Sequence, residues 1–512
     1  MKLSPRTVTL LWDVHTWVGI LTALVLATMF FAGSLSVFHH ELEAWQDPPT
    51  ARGDIAQLDA AVARLDPATL AGKSFGAAPP SGHAARAVLY PEGAPPVVID
   101  PATGAASAPS SIIGQLFFHL HFMWHEAFPT GMIIAGLFGV LLLLALVTGL
   151  VIHLKDLRRQ AFRFRPALRP RYAWSDLHKV LGVWGLPFQV MIAFTGAVIC
   201  LAPILIPPIA SAAFDGDRAR GQRELYASGP APTAKPSDEP APTLSFVELA
   251  GRAERALPGM EVTYVWIERW GRKDARATVY GDLRGAGGFS PGVNLVLDAS
   301  DGTVVSRSTD AATPSSRTMS VVYGIHFASY GGFGLRLLYV LLGLGGWLTI
   351  LSGNWIWIER RAGKRRSVGN QVLGRLTLGI GGGIVLAAVA ILWANRLAAP
   401  TPARLDLEIW TFFGTWAAAA LVALAVPATR RSWAVLLGLA GAGFALIPLL
   451  SILWSPAHLG NGGGFAGWKA AGFDLAFGLA GALFLLAARV AWRHAQPSTP
   501  SAGSAELEEV LP

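Results

Sequence analysis

Two stretches of this chain share a spacing that could do chemistry. His15 stands four residues before Gly19 and eighteen before Gly33, and His178 stands four before Gly182 and eighteen before Gly196. Trp12 and Trp174 lie just ahead of them. Both stretches are apolar enough to enter a membrane, where a buried imidazole is costly without a partner, so a repeated one marks a functional site. A second matched pair follows. Leu120-His121 and Ile325-His326 each precede glycines (Gly131, Gly136, Gly139 and Gly331, Gly332, Gly334), and Thr148-Gly149 further on matches Ser352-Gly353. Two neutral imidazoles on opposite faces of a macrocycle hold the iron of an electron-carrying haem, and facing helices of a bundle supply them. The expected ligand pairs are therefore His15 with His178 and His121 with His326. They lie at two depths, so two haems stacked through the bilayer would conduct electrons.

The elements that position these residues are apolar helices. Of 512 residues, 52% are hydrophobic and 14% charged, and the mean hydropathy is +0.44. These values describe a polytopic membrane protein with some soluble mass. Stretches long enough to span occur at about 9–38, 130–153, 174–205, 333–358, 373–395, 408–427, 433–454 and 469–492. The net charge of +8 comes from residues in short loops. Lys2 and Arg6 precede the first span. Lys155, Arg158, Arg159, Arg163, Arg165, Arg169 and Arg171 follow the second. Arg360, Arg361, Lys364, Arg365 and Arg366 follow the fourth, and Arg430 and Arg431 separate the sixth and seventh. All fall on one face if both termini are cytoplasmic, which is the positive-inside pattern of a multi-pass inner-membrane protein rather than a nucleic-acid surface. The first apolar run is too long for a signal-peptide core and is read as an uncleaved anchor. The single cysteine, Cys200, excludes an internal disulfide and a thiolate metal cluster.

Two soluble segments then lie on the outer face. Val97–Gly104 and Leu295–Val305 each read as a strand, an Asp-x-x-x-Gly turn and a returning strand. Val262–Glu268 and Ala275–Tyr280 are further strand candidates and Phe246–Ala256 a helix, so each segment is expected to be a small α+β module. Residues 76–82 and 228–243 are rich in Pro, Ala and Ser and read as linker. The chain thus divides into span one (1–40), an outer module (41–117), spans two and three with a basic loop (118–205), a second outer module (206–325), span four (326–360), spans five to eight (373–492) and a cytoplasmic tail (493–512). Each half is a span, a module and a second span, in parallel orientation. Such halves pack as a four-helix bundle around a pseudo-two-fold axis along the membrane normal. Spans five to eight show no repeat and few ionisable residues.

Other histidines offer alternatives. His125, one turn after His121, could replace or orient it. His153 has Trp357 as its repeat mate and could contact a haem propionate. His39 and His40 are candidates for an outer site, whereas His83, His458 and His494 read as surface residues. The cluster His119, His121 and His125 raises tetrahedral zinc, but no metalloprotease-type His-Glu-x-x-His accompanies it. No Gly-x-Gly-x-x-Gly follows a strand, so nicotinamide or flavin binding is not expected. Electrons would come from membrane quinol or a separate cytoplasmic reductase.

At these residues the chain resembles the PepSY-associated transmembrane family, with its PiuB-type iron-uptake factors and inner-membrane ferric-siderophore reductases. The resemblance is carried by the His-x-x-x-Gly spans at His15 and His178, the openings at His121 and His326, and the turns at Asp100–Gly104 and Asp298–Gly302. It covers roughly residues 8–360 and implies PepSY modules in the periplasm, haem b, and reduction of ferric iron delivered by a siderophore. Two readings from other classes stand beside it: a non-redox membrane protein whose modules bind a periplasmic partner, and a permease for iron or its chelate.

Overall fold

Residues 4–48, 52–66, 70–81, 86–165, 170–226, 236–283, 289–310, 313–361, 367–454 and 467–495 are described in the computed structural model. Lys2, His83, Arg169, residues 228–235, Lys364, Arg365, Arg366, His458 and the tail from residue 496 lie outside them. Apolar runs with no room for strand alternation fold as helices, which satisfy every backbone group internally where water is absent. Eight helices among the described residues are long and apolar enough to cross a membrane: Pro5–Ser36, Thr130–Ala161, Tyr172–Ala213, Phe333–Arg361, Val368–Leu397, Pro402–Ala425, Arg430–Trp454 and Ala470–Arg493. They coincide with the eight expected spans.

Spans one to four form a ring. Span one packs on spans two and four, and span three packs on the same two. Spans one and three are therefore diagonal, as are two and four. Small residues allow the close approach: a Cβ on Gly139 would lie 3.2 Å from Ala193 O, and one on Gly343 only 2.3 Å from Ser34 Oγ.

Spans five to eight stand beside this ring, and span five is the interior one, with 72% of its apolar window buried. Its glycine cluster forms a π-turn at Thr377–Gly382. The turn leaves two carbonyls to be met from outside: Trp347 Nε1 donates to Gly381 O at 3.2 Å and Trp416 Nε1 to Ile380 O at 3.0 Å. The expectation of few ionisable groups here misses a buried ionic cluster. Arg404 and Glu408 are 4% and 0% exposed. Arg404 is paired with Asp47 and donates to Ser110 O at 2.8 Å. Glu408 accepts from Ser111 Oγ, the Ile112 amide and Asn395 Nδ2 at 2.7–2.8 Å. The Arg396 guanidinium lies 3.5 Å over the Trp45 ring, whose indole donates to Asp474 at 2.9 Å. These groups join spans five, six and eight to the chain just beyond span one and just ahead of helix Ile113–Phe122, which carries His121.

The two soluble segments do not form two modules. Their strands make one eight-stranded antiparallel sheet in the order β4-β3-β2-β1-β5-β6-β7-β8. Here β1–β4 are Phe75–Ala78, Ala87–Pro91, Val97–Ile99 and Ala106–Ser107, and β5–β8 are Met260–Glu268, Arg276–Leu283, Gly292–Asp298 and Val304–Arg307. The join is β1 against β5, with Gly76 opposite Trp266. Part of the supposed linker at 76–82 is thus a central strand. Gly76 is required there, because a Cβ would lie 1.8 Å from the Tyr264 hydroxyl. Helices Ala56–Val62 and Phe246–Ala256 cover one face with a common core that includes Leu58, Phe75, Phe246, Leu249 and Val265. The two Asp-x-x-x-Gly turns are alike. Asp100 and Asp298 accept from the turn amides, and Gly104 and Gly302 take φ of +67° and +75°. Hydrogen bonds from Thr103 hold the Asp100 carboxyl below the usual carboxylate range.

Asp59, from the first segment, caps the helix of the second by accepting from the Phe246 amide at 2.6 Å and the Val247 amide at 3.2 Å. Asp59→Ala should lower the stability of the joined sheet by about 1–2 kcal/mol, read by chemical denaturation of the purified protein. Arg404→Ala removes the partner of half-buried Asp47 and the guanidinium 3.6 Å from buried Glu408, and should cost about 3–5 kcal/mol in the same measurement.

Candidate functional site

Span one rises from His15 near the basic end to Gly33 near the sheet, and span three repeats this from His178 to Gly196. On the basic side, His15 Nδ1 lies 2.8 Å from Ala145 O of span two, and His178 Nδ1 lies 2.8 Å from Thr349 O of span four. A carbonyl only accepts, so each Nδ1 carries the proton and each Nε2 keeps its lone pair. The same two carbonyls also accept from Thr148 Oγ1 and Ser352 Oγ. On the sheet side, His121 lies in the last turn of helix Ile113–Phe122 and His326 ends helix Pro314–His326, both just ahead of spans two and four. His121 Nδ1 lies 2.9 Å from Met29 O and His326 Nδ1 lies 2.8 Å from Thr195 Oγ1.

The structure brings the expected partners together. Ring centres are 6.3 Å apart for His15 and His178, and 6.3 Å apart for His121 and His326. Metal–imidazole bonds of about 2.0 Å on both sides, plus about 1.2 Å from each nitrogen to its ring centre, would put two imidazoles about 6.4 Å apart. The spacing suits one metal between each pair. Each pair also lines a cavity, of about 480 Å³ on the basic side and 300 Å³ on the sheet side, within the range of cofactor sites. The basic-side cavity includes the polar residues Asp13, Gln160, Lys179, Asn354 and Arg360. The sheet-side cavity is walled largely by apolar residues, among them Phe30, Phe118, Phe122 and Phe188.

Glycines seat the rings. A Cβ would lie 2.6 Å from the His121 ring at Gly33, 2.8 Å from His15 at Gly149, 3.2 Å from His326 at Gly196 and 3.4 Å from His178 at Gly353. Gly19 has a different part, since a Cβ there would meet nothing within 4 Å. It borders the basic-side cavity, as does Gly182. The eighteen-residue spacing from histidine to glycine thus sets an imidazole at one depth and a seat for the other pair at the second. This role was missed in the sequence because it depends on which helix lies opposite.

The remaining histidines are placed otherwise. His125 Nε2 lies 3.1 Å from Leu116 O, and the ring packs on Phe413, so His121 and not His125 faces His326. His119 packs against Phe122 and His125. Among the described residues no group of three His, Cys, Asp or Glu side chains is arranged to hold a metal, which leaves the zinc alternative without a third ligand. His39 stacks on Phe118 and reaches Ser36 O, and His153 meets Trp12 edge-on beside the basic-side cavity.

These features define a class: a polytopic membrane protein with a four-span ring, two levels of facing imidazoles and a sheet assembled from both halves. Residues 12–360 match the model of the PepSY-associated TM region, and the chain belongs to that family. It is also 32% identical over 414 residues to a Pseudomonas aeruginosa protein described as "Uncharacterized protein PA4219", a match covering 76% of this chain and 96% of that one. The family region ends with span four, so spans five to eight lie beyond it.

If each pair holds one iron, Gly33→Val and Gly149→Val should each lower bound haem to about half, by displacing His121 and His15 respectively. Haem per chain, measured by extraction and absorbance, checks this.

Proposed function

We propose that the protein is an inner-membrane di-haem electron-transfer protein that reduces ferric iron held by a siderophore in the periplasm during iron uptake. The observation that carries this reading is the double pairing of imidazoles at 6.3 Å, His15 with His178 and His121 with His326. When bound, haem b supplies reversible one-electron iron chemistry at each level. His15 and Met29, which mark the two levels on span one, are separated by about 21 Å of helix rise, most of a bilayer core about 30 Å thick.

The chain's own residues set the conditions. Nδ1 hydrogen bonds fix each ring's orientation and leave Nε2 free to ligate. Lys179 and Arg360 border the basic-side cavity and would take the haem carboxylates there. Apolar walls around His121 and His326 exclude water and keep competing ligands away. The sheet stands over the end where iron would be met. One electron passed to a chelated Fe(III) gives Fe(II), a softer ion that hard oxygen donors hold less well. The electron originates with membrane quinol or a cytoplasmic reductase, since no nucleotide-binding glycine motif follows a strand among the described residues.

Protein purified from haem-replete cells should show a Soret band and, after dithionite, a sharp α band. His15→Ala, His178→Ala, His121→Ala and His326→Ala should each remove about half of the haem. Wild-type protein without a Soret band, or full haem content in all four variants, contradicts the proposal and favours a non-redox role for the sheet. Uptake of labelled iron by vesicles without reductant favours a permease.

A further inference from the structure

The four imidazoles differ in what their Nδ1 atoms meet. His15, His178 and His121 reach main-chain carbonyls, those of Ala145, Thr349 and Met29, at 2.8–2.9 Å, and the Ser352 hydroxyl stands further from His178 Nδ1 at 3.4 Å. His326 meets a side-chain hydroxyl, that of Thr195, at 2.8 Å. The repeat shows where this departure arises. From His15 to His178 and from Gly33 to Gly196 the shift is 163 residues in each case, which aligns Met29 with Ile192 and Ala32 with Thr195. Ala32 has nothing to interpose, so His121 meets the Met29 carbonyl directly. Thr195 does interpose. Its hydroxyl lies 2.7 Å from Met191 O and 3.4 Å from Ile192 O, the carbonyl that symmetry would have offered to His326.

A hydroxyl has one proton to give. Donated to Met191 O, it leaves the oxygen to accept from His326 Nδ1–H. The acceptor on the far nitrogen of a metal-bound imidazole sets both its orientation and its basicity. A hydroxyl oxygen carries less negative charge than an amide carbonyl, so it withdraws the proton less and leaves the ring a weaker electron donor. We infer that Thr195 is a positioning residue for His326 that makes the sheet-side haem easier to reduce than a carbonyl in its place would. This inference rests on the haem reading above. The sense is the useful one, because weaker donation favours Fe(II) at the end where electrons leave. Lys179 and Arg360 border the other pair, so their influence is constant across changes at Thr195.

The two sites can be told apart. Their ring planes are inclined at 29° on the sheet side and 75° on the basic side, and the angle between axial ligand planes governs the splitting of the iron d orbitals seen by electron paramagnetic resonance.

The test is a potentiometric titration of the detergent-purified full-length protein with its haem, followed by absorbance and paramagnetic resonance. Thr195→Ala opens the Ile192 carbonyl to His326 and should lower the sheet-side potential, by a factor of about three to ten in the one-electron equilibrium, about 30–60 mV. Thr195→Val keeps the bulk and removes the acceptor, and should raise it. Thr195→Ser should restore the wild-type value, and the basic-side potential should stay fixed throughout. Should the valine variant fail to fold, the alanine and serine variants decide the matter. Unshifted potentials in haem-replete alanine and valine variants overturn the role of Thr195 alone. Wild-type protein that carries no haem overturns this inference and the haem reading together.

Discussion

A neutral imidazole inside a bilayer must have its N–H met by an acceptor, and the four-span ring is arranged around that requirement. On the basic side the acceptors are carbonyls of spans two and four, already shared with Thr148 and Ser352 one turn further on. On the sheet side they come from spans one and three. Each level therefore draws rings from one diagonal pair of elements and acceptors from the other. Displacing any one span would leave a buried polar nitrogen unmet, which is costlier in lipid than in water. Glycine seats follow from the same demand, since a ring that reaches a helix carbonyl must lie flush against that helix.

Duplication explains the ring but not the whole molecule. The soluble segments fuse across β1 and β5 into a single sheet with a shared helical face, so the two halves are tied together outside the membrane as well as within it. The C-terminal spans break the symmetry. Their buried cluster of Arg396, Arg404, Glu408 and Asp474 engages Trp45, Asp47, Ser110 and Ser111, all from the first half. One physical consequence is that helix Ile113–Phe122, and with it His121, is fixed from two sides. His326 has its own fixing point in Thr195, and the two sheet-side histidines are thus held by different means.

Much of the membrane architecture was legible in the sequence. Apolar length gave the eight spans, equal offsets from histidine to glycine matched His15 with His178, and the Leu-His and Ile-His openings ahead of glycine-rich stretches matched His121 with His326. The Asp-x-x-x-Gly turns were legible for the same reason: a carboxylate that collects turn amides and a glycine with positive φ leave a short local signature. What was hidden depends on distance along the chain. Strand β1, with the sequence Phe-Gly-Ala-Ala beside two prolines, looks like linker, and only the Tyr264 ring pressing on Gly76 shows why small residues are needed. Trp45 and Asp474 meet from opposite ends of the protein, so no window of sequence contains their contact. The seats at Gly149 and Gly353 were seen as a repeat, yet their use is set by the rings of other spans.

On the proposed reading, electrons would cross the membrane through this chain. Purified protein in sealed proteoliposomes, with a membrane-impermeant reductant on the basic side and a ferric chelate on the sheet side, tests it most directly. Ferrous iron should accumulate only on the sheet side, and only in vesicles that contain haem-loaded protein. Reduced haem in the membrane with no ferrous iron beyond it would contradict the account.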